Sequence, residues 1–147
     1  MVSLQNPGAD VSDLRPPWVP QENHYIGYFL DADVLNHPKA PTEQDIKSLI
    51  DWLLPRCDAT SEAQFIIHCD AGLGRSTAIA YIAWSIFLGA GREQEAFEAL
   101  KTSCLETQII PNSIIVAHAD NILRRNGALK KPLTDWNKRV VWRRTFR

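Results

Sequence analysis

A cysteine and an arginine stand six positions apart at Cys69 and Arg75, with two glycines between them and His68 and Ser76 on either side. The full run is Ile66-Ile67-His68-Cys69-Asp70-Ala71-Gly72-Leu73-Gly74-Arg75-Ser76-Thr77. These residue types in this order suit the capture of an oxyanion. A loop that runs into a helix aims successive main-chain N–H groups at one point, with the positive end of the helix dipole behind them. Gly72 and Gly74 permit left-handed backbone and a close approach without a Cβ clash. Arg75 offers a planar fork to two oxygens of one phosphate, a geometry lysine cannot copy. The expected cradle is therefore the segment Asp70, Ala71, Gly72, Leu73, Gly74 together with Arg75. The same positive field favours the thiolate of Cys69, and a thiolate is a nucleophile. Ser76 is placed to donate to the sulfur or to help it leave, and His68 is expected to point away and order the loop by hydrogen bonding.

The elements that hold this loop are legible from periodicity. Gln64–His68 is short and almost wholly apolar, which reads as a strand at the centre of a sheet covered on both faces. After Arg75 the residues Ala78, Ile79, Ala80, Ile82, Ala83, Trp84, Ile86, Phe87 and Leu88 are apolar nearly all round, which predicts a buried helix ending at Gly89. Upstream, Val2–Leu4 fits a short strand, residues 5–24 read as an extended surface connection, and Tyr25–Leu30 is a β-prone run that stops at Asp31-Ala32-Asp33. Thr42 and Asp45 cap a helix whose stripe is Ile46, Leu49, Ile50, Leu53 and Leu54. Two more helices are expected: one from Arg92 to about Thr102, and one opened by Pro111-Asn112 and stopped by Gly127. His24 and His37 read as loop residues, His118 as a helix packing residue and Cys104 as a core cysteine. The pattern predicts an α/β fold with a small central, mostly parallel sheet flanked by helices and a strand–loop–helix at the site.

The chain has 147 residues, of which 45% are hydrophobic and 22% charged, a balance that suits one globular domain. A net charge of -1 excludes bulk attraction to nucleic acid. No stretch approaches the length of an apolar membrane span, and the first residues lack a signal-peptide pattern. Three cysteines, Cys57, Cys69 and Cys104, follow no framework spacing, so reduced thiols and a cytoplasmic setting are expected. No histidines and carboxylates stand at metal-ligand spacing, so no metal or other cofactor is expected. Charge is uneven. Residues 130–147 hold seven basic residues and one acid, a net +6, whereas residues 1–129 hold nine basic and sixteen acidic, a net −7. The expected organisation is a domain over 1–129 and a basic tail over 130–147 that carries Trp136, Trp142 and Phe146. The tail reads as a solvated extension packing its tryptophans on the body, or as a contact for an anionic partner.

The motif His68-Cys69-(five residues)-Arg75-Ser76, with its apolar strand before and apolar helix after, resembles the signature of the cysteine-dependent protein tyrosine phosphatases, including the dual-specificity branch. Ile110-Pro111-Asn112 to Gly127 is similar to the closing helix of small bacterial tyrosine-phosphatase-like proteins, and the likeness covers roughly residues 25–129. The resemblance implies hydrolysis of a phosphate monoester, phosphotyrosine on a protein before others, through a phosphocysteine on Cys69 and without a metal. It also implies an upstream aspartic acid as proton donor on a loop after a strand. Asp31 and Asp33 stand there, 38 and 36 residues before Cys69, and Asp31 ends the strand most directly. Asp45, Asp51 and Asp58 lie on or after a helix and fit less well. Only 30 residues precede Asp31, so the first strand and helix of the family are expected to be short or absent. Asp70 and the lack of lysine at 70–74 speak against polyanionic lipid or inositol substrates. Two other uses of the loop stay open: a non-catalytic module that binds phosphorylated proteins, and an RNA 5′-phosphatase, for which the basic tail is the support.

Overall fold

A computed structural model describes residues 1–32, 37–57, 64–104 and 109–145, with side chains as far as Lys138. Asp33 and Asp58 lie outside the described residues, as do Phe146 and Arg147. Three strands, β1 (Val2–Gln5), β2 (Tyr25–Tyr28) and β3 (Ile67–His68), form a parallel sheet in the order β2-β1-β3. Five helices accompany it: α1 (Glu43–Leu53), α2 (Arg75–Leu88), α3 (Glu93–Ser103), α4 (Ser113–Ile122) and α5 (Lys130–Thr145). The class is the mixed α/β one that alternating strand and helix patterns predict.

The centre of the sheet differs from expectation. The apolar run ending at His68 supplies only the two-residue edge strand β3, and Ile66 just before it is 56% exposed. The centre is β1, whose four residues are all buried. Val2 pairs with Tyr25 on one side and Ile67 on the other, and Ser3 with Ile26 and His68. Val2 and Leu4 enter the core, while Ser3 and Gln5 alternate to the other face. So short a strand, half of it polar, gives little hydrophobic signal, and Ser3 is tolerated at the centre because histidines satisfy its hydroxyl.

The helices follow from their sequence. α1 opens on a capping box, in which the Asp45 amide donates to Thr42 Oγ1 (3.2 Å) and the Thr42 amide donates to Asp45 Oδ2 (2.9 Å). Its stripe of Ile46, Leu49, Ile50 and Leu53 is buried. α2 buries residues on every side, including Ala78, Ile79, Tyr81 and Ile82, and packs against β3, α3 and α4. That packing fixes its first residue, Arg75, at the rim of the sheet.

α4 stops at Ile122, five residues before the glycine expected to end it. Arg124, Asn126 and Gly127 then take positive φ (53°, 53° and 91°). The buried Asp120 carboxylate holds this corner by accepting from the amides of Gly127 (2.7 Å) and Leu129 (3.0 Å). The segment set apart at residue 130 begins α5. Leu133 joins the core, and Trp136 packs on Phe97 and donates Nε1–H to the carbonyl of Ile109 (3.0 Å). Among the described residues no helix is long and apolar enough to cross a membrane, and no group of His, Cys, Asp and Glu is placed to hold a metal ion.

Candidate active site

The segment from Cys69 to Gly74 links β3 to α2. Cys69 is buried, with Sγ 3.3 Å from Oγ of Ser76, within hydrogen-bond range. Asp70, Ala71 and Gly72 are exposed, so the outer part of the loop faces solvent. Gly72 has φ +69°, a left-handed conformation that a side chain resists. Gly74 does not take the left-handed backbone expected of it, since its φ is −99°, but the space it leaves is needed, because a Cβ would run into the Asp31 carboxylate. Thr77 Oγ1 donates to the carbonyls of Leu73 and Gly74, which ties the end of the loop to the first turn of α2. No side chain caps the N-terminus of α2. Among the described residues, no main-chain amide from Asp70 to Ser76 donates a hydrogen bond to a protein acceptor. The first amides of α2 are among them, and uncapped amides at a helix N-terminus are the kind that can bind an anion.

Arg75 is 3% exposed and held from three directions. Its Nη1 donates to the carbonyl of Phe29 (2.7 Å) and to Oδ1 of Asn6 (3.1 Å), and its Nη2 donates to Oδ2 of Asp70 (3.2 Å). Nε–H is buried and has no partner among the described residues. Asn6 also donates through Nδ2 to Oδ2 of Asp70 (2.8 Å), which closes a ring of three side chains. A buried donor without an acceptor costs about 1–3 kcal/mol, so the open Nε–H marks where an acceptor would be favoured.

Asp31 comes three residues after β2, and its carboxylate lies against Gly74. Oδ1 of Asp31 accepts from Nδ2 of Asn112 (2.7 Å), which also donates to the carbonyl of Ala32 (3.1 Å). Asn112 is buried; its Oδ1 caps α4 by accepting from the amides of Ile114 (3.0 Å) and Ile115 (3.1 Å). Its own amide donates to the Gly74 carbonyl (3.2 Å), and the Ile110 amide donates to the Leu73 carbonyl (3.3 Å). The strap Ile110–Asn112 thus joins the loop to Asp31. Sequence reasoning saw Asn112 only as a helix opener. A Pro-Asn pair before an apolar helix signals a cap, and nothing in it points to a partner 81 residues away.

His68 hydrogen-bonds to Ser3 of β1 and not to the loop, and neither Ser3 nor its second partner, His24, carried a signal in the sequence. Oγ of Ser3 lies 2.7 Å from Nε2 of His68 and 2.7 Å from Nε2 of His24. One hydroxyl has one proton, so it donates to one ring and accepts from the other. Burial, aided by the positive charges of the amino terminus, Arg15 and His68, holds His24 below the usual histidine range. Burial pushes the Cys57 thiol up to about 11 and raises that of Cys104 as well. All three cysteines are free.

Along the loop and its contacts stand a sulfur beside a hydroxyl, a buried guanidinium with an open donor, and a carboxylate held by an amide. No family model matches the chain, and no curated protein or solved structure matches it significantly.

Proposed function

We propose that this chain is a cysteine-dependent phosphate monoester hydrolase that acts on phosphotyrosine in proteins. The observation that carries the reading is Arg75, buried beside the loop of Cys69 with its Nε–H unpartnered. A phosphoryl oxygen is an acceptor of the right charge for that donor, and the loop amides supply further donors around it.

The reaction has two steps. Cys69 attacks phosphorus as the thiolate; the S–P bond forms as the P–O bond to the tyrosyl oxygen breaks. Asp31, protonated at the start, gives its proton to the leaving phenolate. Arg75 and the loop amides hold the equatorial oxygens, where charge gathers. In the second step the Asp31 carboxylate takes a proton from water, and the resulting oxygen attacks phosphorus. The S–P bond breaks, inorganic phosphate leaves, and Ser76 donates a hydrogen bond to the departing sulfur. His68, bonded to Ser3, orders the strand end that carries Cys69. No step calls for a metal. The net +6 of residues 130–147 favours the approach of anionic, phosphorylated surfaces.

The test is release of phosphate from an aryl phosphate by the purified protein. Cys69→Ser is expected to abolish turnover, and Arg75→Lys, which keeps charge but loses the fork, to reduce it about 10²–10³-fold. Phosphopeptide binding without turnover would replace the hydrolase by a phosphate-binding module. Turnover undiminished in Cys69→Ser would exclude the mechanism.

A further inference from the structure

Among the described residues Arg75 has three hydrogen-bond partners, and one of them is charged. The carbonyl of Phe29 and the amide oxygen of Asn6 both accept from Nη1. Asp70 is different. Its side chain is 47% exposed, whereas that of Arg75 is 4% exposed, so the carboxylate reaches from the solvent side onto a buried cation. A single oxygen, Oδ2, accepts both from Nη2 of Arg75 (3.2 Å) and from Nδ2 of Asn6 (2.8 Å). The neighbouring Nε–H is left open. A carboxylate that takes half of a guanidinium fork occupies the edge that a bidentate oxyanion needs whole.

We propose that the Asp70 side chain is an internal competitor of the substrate phosphate for Arg75, held in place by Asn6, and so a specificity-determining residue of the site. The inference rests on the hydrolase reading above. Its consequence is selective. A phosphate monoester displaces one carboxylate and gains two donors on the fork together with the loop amides. A ligand with further phosphates near the first meets the displaced carboxylate again as a like charge. Asp70 thereby lowers affinity for free inorganic phosphate, which is also the product, and disfavours polyphosphorylated ligands. Unlike a like charge buried in the pocket, the exposed Asp70 can turn outward into water, which keeps the cost of displacement small.

The experiment is calorimetric titration of the full chain with inorganic phosphate, in the wild type, Asp70→Asn and Asp70→Ala. Both substitutions remove the competing charge from an exposed side chain, and both are expected to tighten phosphate binding about tenfold. Asp51→Asn removes the same unit of charge from the surface of α1 and is expected to leave phosphate affinity unchanged. If the wild type binds phosphate and neither Asp70 variant binds it more tightly, Asp70 is no competitor, while the hydrolase reading stands. An equal gain in Asp51→Asn would also overturn the inference, because net charge alone would then account for it. If none of the four proteins binds phosphate, the hydrolase reading fails and this inference with it.

Discussion

Asn112 uses both ends of its side-chain amide, one to cap α4 and one to hold Asp31 against the loop. The two roles can be separated. Asn112→Ser keeps a cap, since serine serves nearly as well there, but is too short to reach Asp31. If Asn112 positions the acid, the variant loses turnover of a phosphate ester with a poor leaving group by about tenfold or more, because such a group needs its proton. With a nitrophenyl ester, whose leaving group departs as an anion, the loss is small. Equal losses on both esters would reduce Asn112 to a structural cap. The site residues visible in the sequence were those of one twelve-residue run, where cysteine, glycines and arginine stand within seven positions, together with Asp31 at the end of a β-prone stretch. Asn6, Asn112 and Ser3 were not visible, because each reaches the site only through tertiary contact; Asn6 meets Arg75 across 69 positions. Gly74 was legible as a necessary glycine, and the absence of a Cβ is what matters there, but the group that comes close is the Asp31 carboxylate.

At the scale of elements, the helices were legible because burial imposes a period and caps leave residue signatures. Thr42 with Asp45, and the all-round apolar stretch after Arg75, are examples. The strands were less so. β1 is four residues long and alternates polar with apolar, and at the centre its Ser3 is satisfied by His24, just before β2, and His68 of β3. The end of α4 was misplaced because Arg124 and Asn126 take left-handed backbone before Gly127 does, under the hold of Asp120. The serine–histidine junction across the sheet predicts a pH effect. Folding holds His24 neutral to lower pH than in the unfolded chain, through burial and neighbouring positive charge. As pH falls below about 6.5, the ordinary histidine value, the unfolded chain takes up the proton first. The folded state therefore loses stability between that value and the lowered one, and keeps the contribution at neutral pH. Urea melts of the wild type and His24→Gln at pH 7.5 and 5.5 (about two units, spanning the histidine range) check this. The wild type is expected to lose more stability on acidification than the variant; equal losses would contradict the assignment.

Across the whole molecule, one chain of contacts runs from the last helix to the site. Trp136 of α5 holds the Ile109 carbonyl, the Ile110 amide holds Leu73, and the Asn112 amide holds Gly74. A segment that composition marked as a basic tail thus begins as a support for the loop; charge counts do not reveal this, because the contacts are made by Leu133 and Trp136 among the lysines. The acidic body and the basic end remain as the sequence shows them, and the cradle proposed at the head of α2 has one buried cation, Arg75, beside the Asp70 carboxylate. The central claim is that this cradle presents phosphorus to Cys69 and that a covalent intermediate forms there. It is tested most directly in Asp31→Asn, which lacks the base for the second step but needs no proton donor when the leaving group is nitrophenolate. The measurement is mass spectrometry of this variant after a denaturing quench during incubation with a nitrophenyl phosphate. The account predicts a phosphoryl group on the peptide containing Cys69, on the sulfur, and none in Asp31→Asn/Cys69→Ser. Release of nitrophenolate with Cys69 unmodified, or a phosphoryl group on Ser76 in its place, would contradict it.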